Sequence, residues 1–145
     1  MADYKVHISQ AEHNEETAIK LVQEPHHHDW GITATFYAAI HYFESWLCIN
    51  KIGKEQHTET SVRIMSDKGK PSLHNWRATL VRKNVPTAYG NYRYLRNSSQ
   101  IARYLTIPGS ASQWISVSAP EYFSLEKVKS MIANDLAILK KELGV

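Results

Sequence analysis

The chain has 145 residues and a formal net charge of +3, with 43% hydrophobic and 21% charged residues. That is one ordinary globular domain with enough apolar residues for a core. No apolar run is long enough to span a bilayer, and the opening MADYKVHISQAEHNEE has no apolar stretch of the kind a signal peptide needs. The single cysteine, Cys48, has no disulfide partner within the chain and reads as a small buried hydrophobe. These features point to a cytoplasmic protein with no membrane partner.

Charge is unevenly spread. Met1 to Val62 holds 4 basic and 9 acidic residues, and Thr106 to Val145 holds 4 of each. Arg63 to Leu105 holds 9 basic residues against Asp67 alone, a local balance of +8. Such a block suits phosphate or nucleic acid. The plainer alternative is a solvated face that pairs with the acidic first half.

Taken in order, Ser9-Gln-Ala-Glu12 is a capping box. It predicts a first helix from there to about Glu24, stopped by Pro25. His26 to His28 form a linker, and Asp29 is the expected cap of the next helix. That helix, Asp29 to Asn50, is apolar nearly all round (Trp30, Phe36, Ile40, Phe43, Leu47), so it belongs at the centre of the domain. One polar stripe runs along it: Thr33, Tyr37, His41, Glu44/Ser45 and Cys48. The stripe needs partners on another helix, a second subunit or a site.

Gly53 is the natural terminator of the central helix. A short helix is expected from about Thr58 to Ser66, then a turn over Asp67 to Pro71. Leu73 to Arg82 reads as a further helix with Leu73, Trp76 and Leu80 inward. Pro86 opens the next, Thr87 to Leu105, where Ala88, Tyr92, Leu95, Ser99 and Ala102 share the face that should enter the core. A loop from Pro108, continuing through Trp114, leads to a second capping box at Ser118-Ala-Pro-Glu121 and a second candidate cap at Ser124. The last helix carries Leu125, Val128, Ile132, Leu136, Leu139 and Leu143 on one face. With no convincing strand, the expectation is an all-α antiparallel bundle of four or five main helices in a single domain.

The helix Thr87 to Leu105 holds the densest chemistry. Tyr89, Arg93, Arg96, Gln100 and Arg103 fall within a narrow arc. Like charges at these steps repel unless something anionic sits there. A guanidinium fork suits phosphate, and the flanking Tyr89 and Tyr104 could stack on bases. The competing reading pairs the arginines with Glu12, Glu15 and Glu16. On the far side, Tyr94, Ile101 and Leu105 form a second apolar face that suits a homodimer.

The histidines carry weaker signals. His26 to His28 are adjacent and converge poorly on one ion. A metal site from His28, His57 and His74 has no spacing behind it. His41 reads as a satisfied core histidine or as a general acid/base. There is no Gly-rich phosphate loop, nucleophile elbow or Cys-x-x-Cys pair, so the sequence implies no cofactor.

Three segments together resemble a known family. DWGITATFYAAIHYFESWL (29–47) resembles the second helix of small bacterial HEPN-type helical proteins, YRYLRNSSQIARYL (92–105) their later motif helix, and HTETSVR (57–63) the segment between. The resemblance spans roughly residues 9 to 140. It implies antiparallel helices, a dimer whose motif helices meet across a cleft and, in active members, metal-independent ribonuclease activity of toxin or defence type. The family's motif arginine falls on Arg96 and its polar follower on Asn97, and Tyr104 matches an aromatic that often trails the motif. The motif histidine is missing: its candidate positions are Ile101, Ala102 and Arg103. Arginine stays protonated near neutral pH and cannot act as a general base.

The expectation is therefore a HEPN-like homodimer that binds RNA or a nucleotide through Arg93, Arg96, Asn97, Gln100, Arg103, Tyr89 and Tyr104. An active endoribonuclease using Arg96, Arg103 and His41 is the alternative. A histidine metal-binding bundle and a pure interaction module stand behind these.

Overall fold

A computed structural model describes residues 3–24, 26–52, 55–56, 72–109, 114–116 and 122–145. The protein is an all-α helical bundle. Its helices among the described residues are α1 (Tyr4–Leu21), α2 (His28–Ile49), α3 (Leu73–Asn84), α4 (Pro86–Tyr104) and a C-terminal α5. α5 runs as α-helix over Leu125–Ser130, as π-helix over Met131–Leu136 and as α-helix again over Ala137–Leu143. No helix among the described residues is long and apolar enough to cross a membrane.

α1 starts earlier than the capping box at Ser9 implies. Asp3 is the cap, its carboxylate accepting from the Val6 amide at 3.1 Å. Ser9 lies inside the helix, where its box has no end to close. α1 stops at Leu21, short of Glu24.

α2 is central, as its composition predicts, and touches α1, α4 and all three parts of α5. Ile32, Phe36, Ala39, Phe43 and Leu47 are fully buried. His27 is its N-cap, not Asp29, and makes no side-chain capping bond. Asp29 sits in the first turn, where its charge still favours the helix dipole. Trp30 departs from its apolar class: 61% of its surface is exposed.

α1 and α2 lie antiparallel. Gly31 faces Val22 near their connection, and His7 meets His41 further along. A Cβ on Gly31 would stand 3.0 Å from Val22 Cγ1 and 3.6 Å from Val128 Cγ1. The close approach of α1, α2 and α5 there depends on a missing side chain. Gly90 in α4 is the contrast, with nothing within 4 Å of a built Cβ. Gly90→Ala should raise stability by about 0.5–1 kcal/mol, as glycine is the worse helix former. Thermal unfolding with the midpoint unchanged or lowered would contradict this.

α3 covers Leu73–Asn84, two residues beyond the expected end. Its buried set is Arg77, Ala78, Leu80 and Val81, while Leu73 and Trp76 are half-buried. Pro86 opens α4, and Ala88, Tyr92, Leu95, Ser99 and Ala102 are all buried, as the periodicity predicts. α4 ends on Leu105, which takes the left-handed conformation at φ +55 without being glycine. Ser124 caps α5 by accepting from Lys127 N, and Val128, Leu136, Leu139 and Leu143 face the core together with Met131.

Two short ladders correct the expectation of no strand. β1 (Lys51–Ile52) pairs antiparallel with β2 (Glu55–Gln56), and β3 (Thr106–Pro108) with β4 (Trp114–Ser116). Ladders this short carry too little alternation to be read from sequence. Pro25, Gly53, the expected helix Thr58 to Ser66, the turn Asp67 to Pro71 and the box Ser118 to Glu121 lie outside the described residues, as do His57 and the HTETSVR segment.

Candidate functional site

The polar stripe of α2 finds partners in two directions. His41 Nδ1 lies 3.0 Å from His7 Nδ1 of α1. Glu44, fully buried, receives the Nε–H of Arg77 of α3, itself 5% exposed. Neither pairing has a spacing signal, yet a hint was present. Leu73, Arg77 and Leu80 recur at core-facing steps, which puts a charge where a hydrophobe is expected. Glu44 is its complement on the central helix.

The arginines do not pair with α1. Glu15 accepts from Tyr42 Oη and from Lys140 Nζ at 2.8 Å, and Glu16 binds Lys20 at 2.6 Å. Among the described residues, Arg93, Arg96 and Arg103 form no ion pair. Arg93, Asn97 and Gln100 are exposed. Arg96 donates from Nη2 to Asn75 Oδ1, tying α4 to α3. Arg103 donates from Nε to the Ser99 carbonyl at 3.3 Å, and its guanidinium carbon lies 5.4 Å from the Tyr104 ring centre. Tyr104 is 65% exposed, whereas Tyr89 is half-buried against the core. The phosphate-facing set predicted from α4 is therefore on one helix surface, with Tyr89 partly turned inward.

His74 of α3, a residue the sequence suggests only as a metal ligand, lies within the field of this surface's Arg96 and Arg103. It lies two residues after Ser72, the α3 cap, and directly before Asn75, which holds Arg96. Its ring lies 5.7 Å from Phe36 of α2. Burial, then the fields of Arg77, Arg103 and Arg96, hold its pKa below the ordinary histidine value. Its Nδ1 is buried and makes no hydrogen bond. No sequence spacing could link His74 to Arg96 and Arg103, because helices α3 and α4 bring them together.

His41 belongs elsewhere. It lies five positions after Phe36, and five steps of 100° turn its side chain roughly 140° from Phe36 around α2. Phe36 faces His74 and Tyr92, while His41 faces α1. His74, not His41, thus feels the charge of Arg96 and Arg103. Among the described residues no group of three His, Cys, Asp or Glu side chains could hold a metal ion.

His74 sets a pH dependence. Its folded pKa lies below the unfolded value of 6.5. Below 6.5 the unfolded chain takes up a proton that the folded chain resists. This contribution to stability is complete above 6.5 and is lost as pH falls from there toward the lower folded value. His74→Gln should flatten that part of the stability profile in urea titrations between about pH 7 and 5. An unchanged slope would show that His74 does not titrate differently on folding.

A cleft of about 120 Å³ opens at one end of this surface, between Asp29, Trp30 and Thr33 of α2 and Ala102 and Arg103 of α4. A larger groove of about 510 Å³ lies between α1 and the C-terminal end, walled by Glu12, Glu15 and Glu16 and bordered by Ile8, Ile19 and Tyr42. Its acidic wall does not suit phosphate.

No family model, curated protein or solved structure matches the chain.

Proposed function

We propose that this protein is a HEPN-like helical domain that binds RNA through the phosphates of its backbone. The observation that carries the reading is the set Arg93, Arg96 and Arg103 on one face of α4, without an acidic partner among the described residues. Three guanidinium groups on one helix repel each other, and a polyanion relieves that cost. Arg96 is held by Asn75, so one fork is already oriented. Tyr104 adds an exposed ring for stacking.

His74 supports a second reading, metal-independent RNA cleavage. It supplies, within the field of Arg96 and Arg103, the titratable group that arginine at the motif's histidine position cannot replace. Both readings meet one experiment, binding and cleavage of a mixed RNA pool in EDTA. Wild type should bind in a salt-sensitive way, and Arg96→Ala/Arg103→Ala should weaken binding and lower the log–log salt slope by about 1.4. Binding without cleavage selects the first reading. Cleavage lost in both Arg96→Ala and His74→Gln selects the second. No binding by wild type removes both.

The domain is proposed to dimerise through the outer face of α4, where Tyr94 is 43% and Leu105 44% exposed. A solution mass of 16.6 kDa at micromolar concentration, that of one chain, would remove the dimer.

A further inference from the structure

The cleft between the start of α2 and the end of α4 gathers three side chains of different chemistry, Asp29, Trp30 and Arg103. Trp30 lies in the first turn of the apolar central helix, yet it is 61% exposed. Exposed tryptophan is an uncommon use of so large an apolar surface. Asp29 carries a carboxylate with no hydrogen bond or ion pair among the described residues. The nearby Thr33 hydroxyl donates to the Asp29 main-chain carbonyl at 2.9 Å, not to that carboxylate. Arg103 lines the same cleft with opposite charge, and the two do not pair. The helix dipole accounts for Asp29 alone. It does not account for the indole or for an arginine left apart from a carboxylate across one small cleft.

A single ligand type meets all three groups. It has a flat ring for the indole, a pair of N–H donors for the carboxylate and an anion for the guanidinium. We infer that the cleft is a guanine subsite: Trp30 stacks on the base, Asp29 accepts from its N1–H and N2–H₂, and Arg103 holds the adjoining phosphate. The inference rests on the phosphate-binding reading of Arg103 and adds base selectivity to it. Guanine presents two neighbouring donors on its pairing edge. Adenine and cytosine each present one amino donor beside a ring-nitrogen acceptor, which a carboxylate repels. Uracil presents one N–H between two carbonyls. A carboxylate therefore selects guanine by both attraction and repulsion. Stacking itself is tolerant of base identity, so Trp30 supplies affinity and Asp29 supplies choice.

The test uses the full chain, with GMP and AMP as probes and quenching of tryptophan fluorescence as the readout. An A/U-only RNA oligomer serves as a guanine-free control. GMP should bind wild type about tenfold or more tightly than AMP. Asp29→Asn should erase that preference. Trp30→Leu should weaken both nucleotides about tenfold and remove most of the quenching. Equal affinity for GMP and AMP in wild type, or a preference that survives in Asp29→Asn, overturns the subsite. If the oligomer still binds and is lost in Arg96→Ala/Arg103→Ala, the phosphate reading stands without it. If wild type binds neither oligomer nor nucleotide, both readings fall.

Discussion

Arg77→Met is expected to lower the free energy of unfolding by about 3–5 kcal/mol, the cost of leaving a buried charge without its partner. Glu44 is fully buried in the middle of α2, and Arg77 is its one ion-pair partner among the described residues. The second carboxylate oxygen of Glu44 is buried and makes no hydrogen bond. The double variant Glu44→Leu/Arg77→Met should recover most of the loss. A buried ion pair contributes little over a well-packed apolar pair, although half of one is costly. Urea unfolding of the three variants gives the comparison. A loss under about 1 kcal/mol in Arg77→Met would place the pair in the weak class of exposed salt bridges and overturn the assignment. The sign of the double variant also tells whether the pair serves stability or only fixes how α3 sits on α2.

Phe36→Ala should cost about 3–5 kcal/mol, the range for removing a fully buried aromatic ring. Phe36 is 0% exposed. Its ring centre lies 5.8 Å from Tyr92 of α4, 5.7 Å from His74 of α3 and 6.0 Å from Tyr37. It is the point at which three helices meet. A methyl group there leaves a void that cannot collapse without moving α3 or α4. The change should also reach the surface. Tyr92, on the same helix as the arginines, packs on this ring, so RNA affinity should fall in Phe36→Ala at temperatures where the variant is still folded. Phe36→Leu keeps most of the volume and should lose far less of both. Wild-type RNA affinity in a folded Phe36→Ala protein would separate the core from the proposed site.

The two experiments bear on one architectural point. The binding surface proposed on α4 is held from below by α2, through Phe36 against Tyr92. It is held from the side by α3, through Asn75 on Arg96. A site of this kind spans helices that are distant in sequence, and its precision comes from the core beneath it.

Much of the bundle was legible from residues alone. The apolar wrap of 29–50 marks the central helix, and the steps from Ala88 to Ala102 mark the buried face of α4. Pro86 and Ser124 mark helix starts. These signals are local: a helix repeats every 3.6 residues, so one stretch of sequence shows which face is inward. The arginine stripe was legible for the same reason. The start of α1 was misplaced because Ser9-Gln-Ala-Glu12 is only a capping box where a helix begins, and Asp3 had already begun it.

What only the tertiary structure decided was which faces meet. Glu44 with Arg77, His7 with His41, and Asn75 with Arg96 each join residues more than twenty positions apart, on different helices. Periodicity fixes the direction of a side chain around its own axis. The partner depends on how helices cross and on how far each slides along the other, which the whole core sets at once. Trp30 shows the limit most clearly. Its residue type and its helix both suggest the interior, and only the position of α4 over the first turn of α2 leaves it at the mouth of a cleft with Asp29 and Arg103.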